Sequence, residues 1–273
     1  MFSIELHSYF KNKKILAGSI LLGLILLLMI TGFFYLPFDS SRIDVNSKLQ
    51  GPSFTHLLGT DNLGRDVLSR IMVGIRISLL IGLVVMIFGL ITGGLLGSFS
   101  GYFGGPADTI IMKLVSTQMA FPGILLALML VAVFNPNIYV TILALCLMSI
   151  PRFTRITRSG FIKYKNSTFV RGAKSRGASD LRIMFIHILP NIVPELIVTA
   201  TLSFSMSILS ESGLSYLGLG VQPPHPSFGR MLNDAQQYIF RNPSGVIFPA
   251  VFLIILVLSF NLIGDGISEV NNK

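Results

Sequence analysis

The side chains able to perform covalent or acid–base chemistry are few in this sequence, and they are far apart. The four histidines are His7, His56, His187 and His225, and Cys146 is the only cysteine. This spacing does not suggest the clustered ligands that a transition-metal site requires. The sequence also lacks the G-x-x-x-x-G-K-[ST] loop that holds ATP phosphates. We therefore expect no catalytic residue, no metal site and no cofactor bound by this chain.

One acid, Glu211, lies within a long apolar stretch, in the sequence S-E-S-G at 210–213. A charged group inside a membrane needs partners or water, so such residues usually have a role. Glu211 either lines or gates a pathway, or it makes hydrogen bonds that fix one helix against another. The sequence leaves both interpretations open. The candidate pathway residues are Met206, Ser210 and Glu211.

The segment 152–193 carries most of the positive charge of the chain. Nine lysines and arginines face a single acid, Asp180, whereas the whole chain has a net charge of +9. A basic segment flanked by apolar runs is typical of a cytoplasmic loop. This location favours a membrane protein over a nucleic-acid-binding one.

Two short helices are predicted within this loop, on either side of Gly177. Residues 166–168 can cap the first helix, Gly177 can end it in a left-handed conformation, and Asp180 can cap the second. Apolar residues of the second helix follow the spacing of a single stripe: Leu181, Met184, Phe185, Ile188 and Leu189. Such a hairpin is suited to docking on another protein, and a helix lying on anionic lipid is the alternative.

Membrane-spanning helices are expected to position these segments. Hydrophobic residues make up 52% of the chain and charged residues 12%, whereas soluble domains carry about 25% charged residues. Apolar runs of the length of a spanning helix occur at about 15–36, 77–99, 109–134, 137–153, 195–219 and 245–264. The sequence therefore predicts an all-α membrane protein with six transmembrane helices.

The orientation of these helices follows from two basic clusters. Lys11, Lys13 and Lys14 precede the first run, which is longer than the core of a signal peptide and has no cleavage site, so we expect a retained span. This cluster and the basic loop both indicate the cytoplasm. Both termini are then cytoplasmic, and 37–74 and 221–244 lie outside. We divide the chain into 1–74, with the first span and an outer segment, and 75–273, a five-helix core that includes the loop 152–193.

Small residues and proline predict two features inside the bundle. Gly89, Gly93 and Gly97 recur at four-residue spacing in the second span, which favours close packing against another helix. Pro122, in the sequence F-P-G at 121–123, predicts a kink in the third span.

The segment 171–190 reads R-G-A, three residues, G, nine residues and H-I-L-P. It resembles the Glu-Ala-Ala loop of ABC importer permeases. The family pattern is E-A-A, three residues, G, nine residues and I-x-L-P, and this chain matches its spacing. Arg171 replaces the usual Glu, Gly172 the usual Ala, and His187 the usual Ile. The change at Arg171 removes any salt bridge made by the usual Glu, but it leaves the helical pattern intact.

Three further segments carry recognisable motifs: L-G-T-D-N-L-G-R-D at 58–66, L-S-Y-L-G-L-G-V-Q-P-P at 214–224 and F-N-L-I-G-D-G at 260–266. These segments narrow the resemblance to the dipeptide, oligopeptide and nickel importer permeases. With the loop, the matching motifs extend from 58 to 266. The short N-terminal region resembles the second permease subunit of the pair in such systems.

This resemblance implies a type I ABC importer permease whose cytoplasmic hairpin, the coupling helix, inserts into a groove on a separate ATPase subunit. The corresponding coupling-loop residues are Arg171, Gly172, Ala173, Gly177, Ala178, Ser179, Asp180, Leu181, Met184 and Phe185. The implied partners are a second homologous permease, two cytoplasmic ATPases that bind ATP and Mg²⁺, an external substrate-binding protein and membrane lipid. The chain itself would be a non-catalytic translocation subunit.

The substrate expected from this resemblance is an oligopeptide, nickel or a metal–chelator complex. The sequence at 233–238 and the replacement of Glu by Arg171 favour the nickel or metal-chelate branch slightly. A secondary transporter or channel without ATPase partners is the main alternative, although the internal repeats common in secondary transporters are not visible. A membrane scaffold that binds anionic lipid is a second alternative.

Overall fold

The computed structural model describes residues 11–271, most of which are helical. In chain order these are α1 (Lys13–Phe34), α2 (Val67–Phe103), α3 (Gly105–Ala120), α4 (Gly123–Phe134), α5 (Ile138–Tyr164), α6 (Thr168–Ser175), α7 (Asp180–Arg182), α8 (Leu189–Tyr216), α9 (Phe228–Ala235) and α10 (Ser244–Asn271). A π-helical segment, Ile183–Ile188, joins α7 to α8, and short 3-10 turns cover Val45–Ser47 and Gln236–Tyr238.

Within residues 11–271, five continuous helical stretches are long and apolar enough to cross a membrane: α1, α2, α5, α10, and α7 together with α8. The predicted third span is divided instead into α3 and α4, which meet at an angle of 85°. The break lies at Phe121 and Pro122, the N-cap of α4. Proline removes a backbone donor and clashes with the preceding turn, so the predicted kink is a sharp bend here.

The parallel packing of α2 and α5 shows that the bent pair is also a crossing. Gly89 of α2 lies against Ser149 of α5, and Gly101 against Arg158, so the residue numbers of the two helices rise together. Helix α3 starts where α2 ends, and α5 starts on the side where α2 begins. The α3–α4 pair must therefore carry the chain across, which gives the six predicted crossings.

The first and last helices meet at one side of the bundle. Asn12 Nδ2 donates to the Gly266 carbonyl oxygen at 3.4 Å and to the Glu269 carboxylate at 3.2 Å, and Lys14 forms an ion pair with Glu269. An even number of crossings requires this arrangement. Residues 1–10, which include His7, and 272–273 lie outside the described residues, and the cytoplasmic placement of both termini stays a prediction.

The glycine stripe of α2 is a packing face against α5. A Cβ atom built on Gly93 would lie 2.7 Å from the Ile150 carbonyl oxygen, and one on Gly97 would lie 2.5 Å from that of Thr154. Real side chains cannot approach backbone so closely, whereas glycine lets the two helices touch. The predicted packing role of the stripe is confirmed, and its partner lies within the same chain.

Several helices extend beyond the apolar runs that predicted them. Helix α2 begins at Val67 instead of Ile77, and α5 continues past the predicted end at Phe153 to Tyr164. An apolar run marks only the part of a helix among hydrocarbon, and polar residues with good helix propensity continue it. The segment 152–193, predicted as a loop, is therefore mostly helical. Helix α2 also runs across the predicted domain boundary between residues 74 and 75. The division of the chain into two domains stays a prediction.

Candidate functional site

The hairpin between α5 and α8 consists of α6, a tight turn and α7. Gly177 has a φ of +79°, and its N–H donates to the Lys174 carbonyl at 3.0 Å, while the Ala178 N–H donates to that of Ala173 at 3.1 Å. These bonds close the end of α6, and the left-handed conformation is one that glycine adopts without strain. The predicted turn at Gly177 is confirmed.

Asp180 attaches the hairpin to α2, and the prediction that it caps α7 is wrong. The N-cap of α7 is Ser179, and Asp180 is the first helical residue. Its carboxylate accepts a hydrogen bond from the Tyr102 hydroxyl at 2.6 Å. An acid in the first turn of a helix interacts favourably with the helix dipole. Because Asp180 does not cap the helix, its carboxylate can bind Tyr102 of another element.

The predicted single apolar stripe is divided between two faces. Met184 and Ile188 are fully buried, whereas Leu181 is 57% exposed and Phe185 39%. The cause is the π-helical segment, because its i→i+5 bonds advance the side chains differently from an α-helix. The buried side packs against Phe153 and other apolar residues of α5, α6 and α8. The exposed apolar residues of the hairpin and the π-helical segment are Phe169 of α6, Leu181, Phe185 and Ile186.

The other predicted coupling residues differ in exposure. Arg171 is exposed, and its Nε donates to the Asn166 carbonyl oxygen at 3.1 Å. Ser179 is exposed, Gly172 and Ala178 are half-buried, and Ala173 is buried. Ala173 and Met184 therefore lie inside the hairpin and support it, while the others are available to a partner.

An ion pair anchors the membrane side of this region. Arg158 of α5 donates to both carboxylate oxygens of Asp108 in α3, at 2.6 and 2.7 Å, and the Ser100 hydroxyl of α2 donates to the same carboxylate. A bidentate arginine–carboxylate pair has a defined geometry. It fixes the ends of three helices relative to one another, next to the hairpin.

Two of the three predicted pathway residues lie together in a groove between α5 and α8. Met206 and Ser210 line this groove, which has a volume of about 100 Å³, together with Arg152. The remaining lining residues are Leu145, Met148, Ser149, Ser203 and Ser207. We name this feature the serine groove. Sequence reasoning counted Arg152 only as a loop charge, because the apolar run ends near it.

Glu211 does not line the serine groove. It is fully buried, and its carboxylate accepts hydrogen bonds from the hydroxyls of Ser215 at 2.6 Å and Ser212 at 3.4 Å, and from Ser227. Ser227 is also the N-cap of α9. Of the two interpretations that the sequence left open, the geometry supports the structural one: Glu211 connects the end of α8 to the start of α9.

Sequence reasoning missed a charge network in the outer segment. The carboxylate of Asp61 accepts a hydrogen bond from Arg65 Nε at 2.6 Å, and Arg65 Nη2 donates to Asp234 of α9 at 3.0 Å. Arg70 lies 3.5 Å from the Asp61 carboxylate and 3.6 Å from that of Asp234. In the sequence, the L-G-T-D-N-L-G-R-D motif was the signal that could have indicated this network, because it contains Asp61 and Arg65. Its side chains join the outer segment to α2 and α9.

The two glycines of this motif stand where the backbone conformation favours glycine and leaves no room for a side chain. Gly59 and Gly64 have φ values of +80° and +78°, and a Cβ on Gly64 would lie 1.8 Å from the Asp44 carbonyl oxygen. Hydrogen bonds from the Ser47 hydroxyl and the Asn46 N–H lower the pKa of the Asp44 carboxyl, which keeps it ionised in this turn. The outer segment is thus a compact structure that covers one end of the bundle.

Comparison with known proteins agrees with this architecture. Residues 93–273 match the family model described as binding-protein-dependent transport system inner membrane component. The chain is 42% identical over 260 residues to the glutathione transport system permease protein GsiD of Salmonella typhimurium, covering 95% of this chain and 86% of that protein. It is 40% identical over 261 residues to the dipeptide transport system permease protein DppC of Alkalihalophilus pseudofirmus, covering 95% and 85%.

Solved structures support the same fold at lower sequence identity. The methionine ABC transporter MetNI in inward-facing conformations superposes with a TM-score of 0.59 at 19% identity, covering 73% of this chain and 94% of that chain. An amino acid ABC transporter superposes with a TM-score of 0.56 at 17% identity, covering 70% and 89%. With the apolar helices described above, these similarities show a multi-pass protein of the inner membrane with the type I importer fold. The chain belongs to the family of binding-protein-dependent transport system inner membrane components, as a permease of the dipeptide and oligopeptide type.

Proposed function

We propose that this chain is one of two permease subunits of an ATP-driven importer for small peptides, a class that includes dipeptides and glutathione. The names of its relatives support the peptide class, because the proteins described above carry dipeptide and glutathione in their names at 40–42% identity. They give no corresponding support to the nickel or metal-chelate branch. Among residues 11–271, no three side chains of His, Cys, Asp or Glu converge as metal ligands.

The hairpin is the element that would couple ATP hydrolysis to transport. The observation that carries this proposal is its construction: exposed apolar residues, among them Leu181, Phe185 and Ile186, stand on a support of buried side chains. Tyr102 of α2 holds Asp180, and α7 continues through the π-helical segment into α8. A displacement of the hairpin is therefore transmitted directly to a spanning helix.

The partners follow from the same proposal. Two cytoplasmic ATPases would bind ATP and Mg²⁺ and contact the hairpins, a second permease would complete the pathway, and an external binding protein would deliver the peptide. This chain would have no catalytic role. Both termini and the hairpin would lie in the cytoplasm, which is supported by exposed Arg171, Lys174 and Arg176 on the hairpin.

A substitution on the hairpin surface tests the coupling role. Leu181→Ser removes an exposed apolar side chain from the proposed contact without disturbing the buried face, so co-purification of the ATPases should fall about tenfold. Phe240→Ser is the matched control, because Phe240 is also an exposed apolar residue but belongs to the outer segment 221–244. Equal ATPase recovery with both variants would contradict the assignment. Peptide uptake by this chain without any ATPase would favour the alternative of a secondary transporter or channel.

A further inference from the structure

Arg152 is an exposed cation in the middle of a spanning helix. It lies fourteen residues after Ile138, the first residue of α5, which at about 1.5 Å per residue places it roughly 21 Å from the outer end. The hydrocarbon core of a bilayer is about 30 Å thick, so Arg152 lies at membrane depth. An arginine at such a depth normally faces protein or a water-filled cavity and not lipid.

Arg152 has no anionic partner in the described part of the chain. Arg158 of the same helix is paired with Asp108, and Lys163 with Glu195. No ion pair among residues 11–271 includes Arg152, although its side chain is exposed. Its charge is therefore available to a group that this chain does not supply.

Arg152 lines two neighbouring pockets. One is the serine groove, and the other, of about 240 Å³, lies beside the break between α3 and α4 and is lined by Gln118, Phe121 and Pro151. Met148 and Arg152 line both. Neither lining contains an Asp or Glu, so the combined space has one positive charge, several hydroxyls and an apolar wall. This chemistry is complementary to a small solute that carries a carboxylate.

We propose that Arg152 binds a carboxylate of the peptide during its passage, with the hydroxyl of Ser210 available as a further donor. This inference rests on the proposed import of peptides. It adds a recognition residue within the translocation pathway itself, separate from the external binding protein. Arginine is suited to this task because its planar guanidinium can donate two parallel hydrogen bonds to one carboxylate.

The test uses the complete importer in proteoliposomes, with a radiolabelled dipeptide. Arg152→Gln should lower the initial rate of uptake about tenfold, because a charge-assisted hydrogen bond is replaced by a weaker neutral one. Arg152→Lys should retain most of the rate. Arg155→Gln is the matched control. Arg155 lies about one helical turn after Arg152, is also exposed and lines neither pocket. Recovery of the second permease and the ATPases should be the same for all variants.

A second arm tests the charge at this position directly. In a Cys146→Ala background, Arg152→Cys should transport slowly, and a cationic methanethiosulfonate reagent should restore uptake while an anionic one of similar size should not. Saturating dipeptide should slow the reaction of the introduced thiol. Full uptake by Arg152→Gln would overturn the inference, and so would loss of the second permease from that variant, because Arg152 would then pair with protein. Failure of the unmodified importer to take up dipeptide would instead refute the proposed function.

Discussion

The turn residue of the hairpin, Gly177, is the single position where backbone conformation bears most directly on coupling. Its φ of +79° is strained for any residue with a Cβ, although a Cβ there would meet nothing within 4 Å. Gly177→Val should therefore destabilise the turn by about 1–2 kcal/mol and misplace α7. We expect normal membrane insertion with reduced ATPase recovery and reduced uptake, measured in the same membranes.

A conservative variant separates backbone conformation from side-chain size at this position. Asparagine tolerates the left-handed region better than other residues, so Gly177→Asn should retain most of the coupling. If valine and asparagine have the same effect, strain is not the cause. Normal assembly and full uptake with Gly177→Val would show that the hairpin is not the coupling element.

The buried carboxylate of Glu211 gives a second prediction at this scale. Glu211→Ala leaves the hydroxyls of Ser215 and Ser227 without their acceptor, and the loss of such buried hydrogen bonds costs about 1–3 kcal/mol. The unfolding midpoint of the purified protein in detergent should fall, whereas Ser210→Ala should leave it unchanged. A stable Glu211→Ala protein that fails only in transport would restore the pathway interpretation.

The sequence indicated which residues were unusual but not what they contact. Glu211 is conspicuous as an acid among apolar residues. Its partner Ser227 lies beyond α8 in the chain, so only the folded structure brings the two side chains together. Arg152 was concealed for the opposite reason. It stands at the edge of a basic segment, where a charge looks like an ordinary signal of orientation.

Among the elements, the close contact of α2 and α5 is the feature most sensitive to substitution. A Cβ on Gly97 would lie 2.5 Å from a backbone oxygen of α5, while one on Gly94 would meet nothing within 4 Å. Overpacking usually costs about 1–3 kcal/mol, and a rigid backbone neighbour places Gly97→Leu at the upper end. We expect Gly97→Leu to reduce folded protein and its unfolding midpoint, and Gly94→Leu to have little effect. Equal stability would contradict the packing described here.

Element type and order follow from the sequence more readily than element geometry. Apolar runs identify the spanning helices because hydrocarbon requires them, and Pro122 correctly marks the interruption of the third span. The 85° angle is not contained in any local pattern, because a proline indicates where a helix is interrupted but does not fix the direction of the next helix. The π-helical segment likewise divides the apolar stripe of the hairpin, since the predicted single face assumed 3.6 residues per turn.

At the scale of the whole molecule, the orientation in the membrane can be measured directly. In a Cys146→Ala background, Lys174→Cys should react only with reagents that enter the cytoplasm, and Phe240→Cys with impermeant reagents added outside. Both positions are exposed in this chain, so the labelling is done on the chain expressed without the ATPases and the binding protein, which would otherwise cover them. Labelling of the Lys174→Cys protein from outside would reverse the proposed topology.

The central claim is that this chain forms the transport pathway of a peptide importer and that separate ATPases supply the energy. The most direct measurement is dipeptide uptake into proteoliposomes that contain this chain, the second permease, the ATPases and the binding protein, with and without ATP and Mg²⁺. We predict uptake only with the complete set and ATP, and no ATP hydrolysis by this chain alone, because it lacks a phosphate-binding loop. Uptake at an equal rate without ATP or without the ATPases would contradict the account.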